Sequence, residues 1–423
     1  MRIAIQTLGT RGDVQPYIAL ALALAARGHD VQLAAPAQFE ALVTGRGLRF
    51  APLPAEFLAM MDTPDGRTAL AGGQVVLARL RLMRQARRMM RRLLSAEREA
   101  VLAFAPDLIL HHPKSLAAPH LAEALACPCV LASPVPGLTP TSAFPSPLLP
   151  FASLGPLNRA SHLLLLRGAQ AFFAGSIRAW REEDLGLSAR GRPPPSSGTL
   201  YAYSPHVVPV PLDWGRDVLV SGYWFLDDPA WHPSEALAAF LAAGEPPVYV
   251  GFGSMPGLDP RRMTALVVEA LARTGRRGLL ARGGGALAAE ALPPHVHLLD
   301  GAPHDRLFPL VSATIHHGGA GTTAASLRAG KPCAILPFFG DQPFWARRVA
   351  ALGAGPPPID RKTLSPDRLA AAIAAMEVEP MRQRARHLGD LIRGEDGAAA
   401  AMGFLENRFL HTGVAGGPAP PSA

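Results

Sequence analysis

The sequence predicts an α/β protein made of two doubly wound, Rossmann-like domains that face each other across a cleft. Three observations carry that prediction. Residues 2–35 run strand, glycine loop, helix, strand, the opening of a doubly wound domain. The same plan returns between residues 248 and 337. A chain of 423 residues with 49% hydrophobic and 17% charged residues has core enough for two or three domains and is not a disordered polymer.

The first strand is the apolar run Arg2–Leu8, which ends in Gly9-Thr10-Arg11-Gly12-Asp13. A helix is expected from Pro16 to Arg27, closed by Gly28 in a C-cap signal, and Val31–Ala35 is the next strand. Further strands of this sheet are expected at Asp107–Leu110 and Cys129–Ala132, each with helical sequence beside it. Frequent prolines make 133–156 a loop; 157–181 read as helix and the Pro/Ser/Gly run 188–199 as loop. Asp227–Pro233 reads as an interdomain hinge, with Ser234 starting a helix.

In the second half, strands are expected at Val248–Phe252, Gly278–Arg282, Val296–Leu298, Ala313–His316 and Cys333–Pro337. Helices are expected from Pro260 to Thr274, from Thr322 to Ala329, over 343–352 and 366–376, and through most of 381–410. The division is an N-terminal domain over 1–226, a C-terminal domain over 234–390, a last helix over 391–410, and a disordered Gly/Pro/Ala/Ser tail at 411–423. Two such domains place a ligand cleft between the carboxyl ends of their strands.

Composition excludes several function classes. Cys127, Cys129 and Cys333 are too few for a disulfide framework or a four-thiolate zinc site, and they read as buried thiols in a reducing cytoplasm. The net charge of +8 is concentrated in residues 79–99, where eight arginines meet only Glu97 and Glu99. A general nucleic-acid field is therefore not expected. No run is long and apolar enough to cross a membrane, and the Met1 end is broken by Gly9, Arg11 and Asp13, unlike a signal peptide. Met83, Ala86, Met90, Leu93 and Leu94 recur at helical spacing between the arginines. That amphipathic basic helix is either a solvated cover of the domain or a peripheral contact with anionic lipid at the inner membrane face.

The segment His316-His317-Gly318-Gly319-Ala320-Gly321-Thr322-Thr323 carries the clearest chemistry. Glycines between a strand and a helix let main chain approach a ligand, and the helix start offers unpaired N–H groups to a diphosphate. Thr322 adds a hydroxyl, and His317 adds a donor or a positive charge. A tight turn capped by threonines is the plainer reading. A zinc pair is disfavoured because neighbours on a strand point apart. Asp341 and Gln342, at another strand end, suit sugar hydroxyls, or Asp341 caps the helix that follows. Ser254 in Gly251–Gly257 is a phosphate-oxygen donor or a turn cap. That loop has one residue too many for a dinucleotide fingerprint, and the acid a nicotinamide site needs is missing. Asp13 is placed either to take a proton from an acceptor hydroxyl or to cap a helix over 14–27.

Together these segments resemble the UDP-glycosyltransferase superfamily of GT-B fold, in its sterol/lipid glucosyltransferase-like and antibiotic glycosyltransferase-like branches. The resemblance rests on GTRGDVQPYIALALALAARGHDV (9–31), GYWFLDD (222–228), GFGSM (251–255), APHDRLFP (302–309), HHGGAGTTAASLRAGKP (316–332) and PFFGDQPFWA (337–346). It implies an inverting hexosyl transfer from a nucleoside-diphosphate sugar, UDP-glucose first and dTDP-sugars second, to a hydroxyl of a sterol, hopanoid, lipid or polyketide. By the same resemblance Asp13 is the base, and Thr10, Arg11, Gly12, Ser254, His317, Gly319, Gly321 and Thr322 hold the diphosphate. Asp341 and Gln342 contact the donor sugar, and Ala302, Pro303 and His304 the nucleobase. The last helix, from about 391 to 409, crosses back onto the first domain, and no metal or other cofactor is needed. Two departures bear on the nucleobase: Gly301 and Ala325 stand where the plant branch has a tryptophan and a glutamate. A sugar-nucleotide epimerase and a non-catalytic nucleotide-sugar-binding protein are the rival readings. The acceptor pocket is expected from residues 57–90 and 111–180.

Overall fold

A computed structural model of the chain describes residues 1–55, 76–253, 255, 259–283, 285–288 and 291–410, with the side chains of 76–87 left out. Ser254, the acceptor-side stretch 57–75 and the tail 411–423 therefore lie outside the described residues.

The first half contains β1 (Arg2–Gln6), α1 (Arg11–Ala26), β2 (Asp30–Pro36), α2 (Glu40–Thr44), β3 (Arg49–Leu53) and α3 (Val76–Phe104). It continues through β4 (Leu108–His111), α4 (Ala118–Leu125), β5 (Cys129–Ser133), α5 (Asn158–Leu185), β6 (Gly198–Tyr201) and β7 (Val218–Val220). The second half contains α6 (Glu235–Ala242), β8 (Val248–Gly251), α7 (Pro260–Arg273), β9 (Gly278–Ala281), β10 (Val296–Leu299), α8 (His304–Leu307) and β11 (Ala313–His316). After it come α9 (Ala320–Arg328), β12 (Cys333–Ile335), α10 (Gln342–Ala351), α11 (Pro366–Glu377), α12 (Glu379–Arg393) and α13 (Gly397–Phe409).

Two parallel sheets result, in the orders β3-β2-β1-β4-β5-β6-β7 and β10-β9-β8-β11-β12. Helices cover both faces, so the strands read as continuous apolar runs: Ile3, Ala4 and Ile5 are all buried. In each sheet the chain reverses its direction of travel once, between β1 and β4 and between β8 and β11. The expected α/β class with two doubly wound units is what the chain forms.

Five details depart from expectation. The first helix begins at Arg11 rather than Pro16, because Thr10 and Asp13 cap one another there; Pro16 sits inside the helix. Three short strands were not anticipated. β3 contains Pro52 and is an edge strand, where the missing donor is tolerated. β6 begins within the loop expected over 188–199, and β7 has only three residues. The helical stretch near the C-terminus breaks at Gly394, and Asp396 caps the next helix by accepting the Ala399 N–H. Residues 391–393 thus still belong to α12.

The crossing back to the first domain is made by α13. Its Ala401 and Leu405 share a core with Val14, Ile18 and Leu33. Glu406 pairs with Arg27 at 3.1 Å and His29 at 3.2 Å. Where the chain crosses, Gly222 and Gly397 touch main chain to main chain. A Cβ on Gly397 would lie 2.5 Å from the carbonyl of Gly222. Ser204 donates its hydroxyl to Glu395 at 2.6 Å beside this contact. Along α3, Arg91 is committed to Glu183 and Asp184 of α5, which favours the domain-cover reading for that arginine.

Gly397→Ala should therefore cost about 1–3 kcal/mol, since the methyl has no room. Gly403→Ala has no heavy atom within 4 Å of its new Cβ and should be neutral or slightly stabilising. Thermal melts check this: the first variant loses several degrees and the second none, and equal melting would refute the tight crossing.

Candidate active site

The two sheet reversals bring four strand ends together. β1 delivers the turn Thr7–Asp13, and β4, paired to it with Gln6 opposite His111, delivers His112–Ser115. Across the cleft, β8 delivers Gly251–Gly253 and β11, with His316 opposite Gly251, delivers His317–Thr322.

On the second wall, α9 starts with Gly319 at its N-cap and no side chain caps it. Its first N–H groups stay free for a ligand, and the helix dipole adds positive character. The helix is stapled to β11 by a buried hydroxyl pair, Thr314 to Ser326 at 2.9 Å, and Ser326 in turn donates to the Thr322 carbonyl of its own helix at 2.9 Å. Gly318 has φ +89° and Ile335 where a side chain would go. A Cβ on Gly319 would lie 2.6 Å from His317 Nε2, so this glycine makes room for the imidazole. Burial pulls the His317 pKa down to about 4, only partly offset by the Gly251 carbonyl. Burial thus favours the neutral ring, in which His317 can offer a donor. Its Nδ1 is buried without a partner among the described residues. The rings of His316 and His317 are 6.4 Å apart and steeply inclined, and they do not converge on a metal position.

A cavity of about 750 Å³ opens between the domains at this helix start. Arg11 and Gly12 line it from one side, and Gly321, Thr322, Ala302 and Pro303 from the other. His304 also lines it, stacked on Phe308 at 4.3 Å. Burial and the Arg11 charge bring the His304 pKa down to about 4. Arg306 and Arg328 add cations, with Arg328 paired to Asp227 at 2.5 and 2.8 Å. The linker residues Tyr223, Trp224 and Phe225 form a further wall. Sequence reading passed over Arg306, Arg328 and this aromatic wall, although GYWFLDD stood out as a motif.

On the first wall, Asp13 sits at the third helical position of α1. Its Oδ2 accepts the Thr10 N–H at 2.8 Å and the Thr10 hydroxyl at 3.1 Å. Its Oδ1 accepts from Lys114 Nζ at 2.9 Å and faces His112 Nε2 at 3.3 Å. Burial alone would raise its pKa, but the Lys114 charge and the His112 contact outweigh that and hold the carboxyl well below the usual range. The helix-cap reading was right about a capping contact and wrong about position: Thr10, not Asp13, is the N-cap residue. Lys114 went unnoticed in the sequence, and its position just past a strand end was the available signal. Behind this loop Glu97 is fully buried and accepts the Ser115 hydroxyl at 2.9 Å; burial lifts its pKa to about 8.

Asp341 and Gln342 open α10 and do not line the cavity at the α9 start. Asp341 accepts the Trp345 indole N–H at 2.6 Å. Burial, with the Asp13 charge among the lesser causes, raises its pKa. The cap expected of Asp341 is not formed by its side chain. Gln342 turns inward: its Oε1 accepts the Phe338 and Phe339 N–H groups at 2.7 and 3.2 Å, and its Nε2 lies against Met255 Sδ.

Two facing nucleotide-type folds, with an uncapped helix start on one wall and a half-buried carboxylate in the first turn of α1 on the other, have the form of a two-domain GT-B glycosyltransferase. Comparison with known proteins agrees. The model of the glycosyltransferase family 28 N-terminal domain matches residues 3–144, and that of the erythromycin biosynthesis protein CIII-like C-terminal domain matches residues 282–393. A sterol 3-beta-glucosyltransferase of Arabidopsis thaliana is 37% identical over 95% of this chain and 67% of its own length. One of Emericella nidulans is 37% identical over 95% of this chain and 29% of its own. The chain thus spans about two thirds of the plant relatives and under a third of that fungal one. The solved glycosyltransferase SnogD of Streptomyces nogalater has the same fold, with TM-score 0.68 and 23% identity over 96% of this chain and 99% of its own. The chain belongs to the UDP-glycosyltransferase superfamily, alongside these sterol 3-beta-glucosyltransferases.

Gly319→Ala must displace the His317 ring or the start of α9. Affinity for UDP or dTDP, read by titration calorimetry, should fall about tenfold, the equivalent of ~1.4 kcal/mol, with melting little changed. Unaltered affinity would show that neither the ring nor the helix start meets the nucleotide.

Proposed function

We propose that the chain moves a hexosyl group from a nucleoside-diphosphate sugar to a hydroxyl of an apolar acceptor, with inversion and without a metal. The observation that carries this is the cavity shared by the first turn of α1, at Arg11 and Gly12, and the uncapped start of α9; Asp13 follows in the same turn of α1 without itself lining the cavity. The diphosphate would rest on the N–H groups of 320–322, with Arg11, Thr10 and Gly12 closing from the first domain. The buried Nδ1 of His317 awaits a ligand oxygen. The nucleobase would lie along Ala302–His304, and the sugar between the diphosphate and Asp341. These main-chain donors and arginines supply the positive field that the leaving diphosphate needs.

Asp13 takes the acceptor proton, and the acceptor oxygen attacks the anomeric carbon from the face opposite the diphosphate. The configuration inverts as the carbon–oxygen bond to phosphate breaks. Support for a glucosyl donor and a sterol-like acceptor comes from the relatives' names. Leu148, Phe151, Leu157, Leu164 and Phe172, exposed within the expected acceptor segment, suit an apolar partner. UDP is the first expectation for the nucleotide and dTDP the alternative. A peripheral lipid contact through residues 79–99 belongs to the same proposal, carried by arginines other than Arg91. Among the described residues no helix is long and apolar enough to cross a membrane.

Asp13→Asn tests the base. The amide oxygen can still accept the Thr10 N–H, so folding and nucleotide affinity should survive. It cannot take up the proton, and kcat should fall by ~10²–10⁴. Transfer at near wild-type rate would remove Asp13 from the chemistry. Separately, transfer should persist in excess chelator, measured with UDP-glucose and a sterol; loss restored only by magnesium would overturn the metal-free reading.

A further inference from the structure

Both oxygens of Asp13 are occupied. Oδ2 holds the N–H and hydroxyl of Thr10, and Oδ1 holds Lys114 with His112 close by. An ionised carboxylate offers about four acceptor directions. A hydroxyl that is to hand its proton to Asp13 must therefore displace one of these donors. The Thr10 N–H is main chain, and its hydroxyl hangs from the same anchored residue. His112 is 5% exposed, and its Nδ1 accepts the Lys114 main-chain N–H at 3.1 Å, which fixes Nε2 as the protonated nitrogen. Lys114 differs from the others: its side chain is 46% exposed, and it reaches Asp13 on a flexible four-carbon stem.

We propose that Lys114 is a displaceable counter-ion of the base, seated on Asp13 Oδ1 while no acceptor is bound and surrendering that oxygen to the acceptor hydroxyl. The proposal rests on the reading of Asp13 as the base. Gly9 makes the arrangement sterically feasible. Its φ is +131°, and a Cβ there would lie 2.1 Å from Asp13 Oδ2 and 2.7 Å from Lys114 Nζ. With the ammonium in place, the carboxylate stays ionised and a stray water has no free position on Oδ1, so the donor is protected from hydrolysis. Once the hydroxyl replaces the ammonium, the carboxylate loses its nearest cation and its affinity for a proton rises. The acceptor proton then passes to Oδ1. The acceptor oxygen's electron pair forms the new bond to the anomeric carbon, and the pair of the breaking carbon–oxygen bond leaves on the diphosphate.

The ionisable groups around Asp13 are few. Lys114 and His112 face it from the loop after β4, Tyr17 from α1 as a buried neutral phenol, and Asp341 from α10 across the cleft. Glu97 backs the same loop but meets Ser115 rather than Asp13. Among the described residues, removing the Lys114 charge therefore leaves no other full cation on the carboxylate, and the pKa of Asp13 is expected to rise.

The test compares Lys114→Met, Lys114→Arg and Asp13→Asn with the wild type. The readouts are the pH profile of kcat/KM, carried as far below pH 4 as the fold holds, and the hydrolysis of UDP-glucose without acceptor. For Lys114→Met the acidic limb should move up by about one pH unit or more, and acceptor-free hydrolysis should rise several-fold relative to transfer. Lys114→Arg keeps the charge and should leave the limb near its wild-type place. A folded Lys114→Met variant with an unmoved limb and unchanged hydrolysis overturns the proposal. Should that variant fail to fold, Lys114→Gln carries the same two readouts. Asp13→Asn separates the two ideas. If it is inactive while Lys114→Met behaves as wild type, only the counter-ion role fails. If it transfers at wild-type rate, the base assignment itself is wrong.

Discussion

The structure depends on one topological constraint: in each parallel sheet the strand order reverses once, beside β1 in the first and beside β8 in the second. At a reversal the connections leave the neighbouring strands toward opposite faces, and the space above their carboxyl ends stays open. Residues distant in sequence meet there for no other reason. Asp13 and Lys114 are 101 positions apart and touch because Gln6 is paired with His111. His317 lies against Gly253 because His316 is paired with Gly251. The two openings face one another, so the cavity is a consequence of strand order before any side chain is chosen.

The two helices that leave these openings have been given opposite electrostatic tasks. Both begin with free N–H groups and a positive end. In α1 that field is spent internally, since Asp13 and Thr10 cap one another and the carboxylate becomes a fixed negative charge at the cleft. In α9 the N-cap is glycine, the field is unspent, and the site is left for a ligand's charge. A base and a diphosphate pocket need these contrary solutions. The choice between them is made by the residues at the N-cap and third helical positions: Thr10 and Asp13 in one helix, Gly319 and Thr322 in the other.

Much of this was legible in the sequence. Strand–glycine–helix order revealed both doubly wound units, because apolar runs and glycine turns are local signals. Gly319, Gly321 and Thr322 stood out for the same reason. The strands at Arg49–Leu53 and Val218–Val220 did not, since a proline and a three-residue length erase the periodicity on which a strand is recognised. The start of α1 was misplaced because Pro16 resembles a helix opening, whereas the reciprocal cap five residues earlier decides it. Lys114, Arg306 and Arg328 were invisible as site residues. Their roles come from spatial neighbours, and an isolated lysine or arginine carries no local mark of its partner. The inward turn of Gln342 was hidden likewise, because its partners are main-chain groups of the preceding loop.

A site divided between two bodies works only if their separation is fixed, and the contacts that fix it are built from the same elements as the chemistry. Helix α10 opens just after Asp341, the carboxyl proposed to meet the donor sugar. One and a half turns later, Arg347 grips the carbonyls of Pro150 and Phe151 at 3.0 Å, and Arg348 holds that of Val207 at 2.7 Å. A helix of this length is a rod of ~15 Å. Its sugar-side end and its grip on the acceptor-side loop therefore move together. The Gly222–Gly397 contact pins the other side of the cleft, where two crossings of the chain pass without side chains between them. Tyr201, Tyr203 and Val207 of the first half also share a buried core with Phe344, Trp345 and Val349 of α10, so the helix that follows Asp341 is held to the first half by packing as well as by its arginines. The proposed sugar contact is thereby tied in position to the proposed acceptor loop.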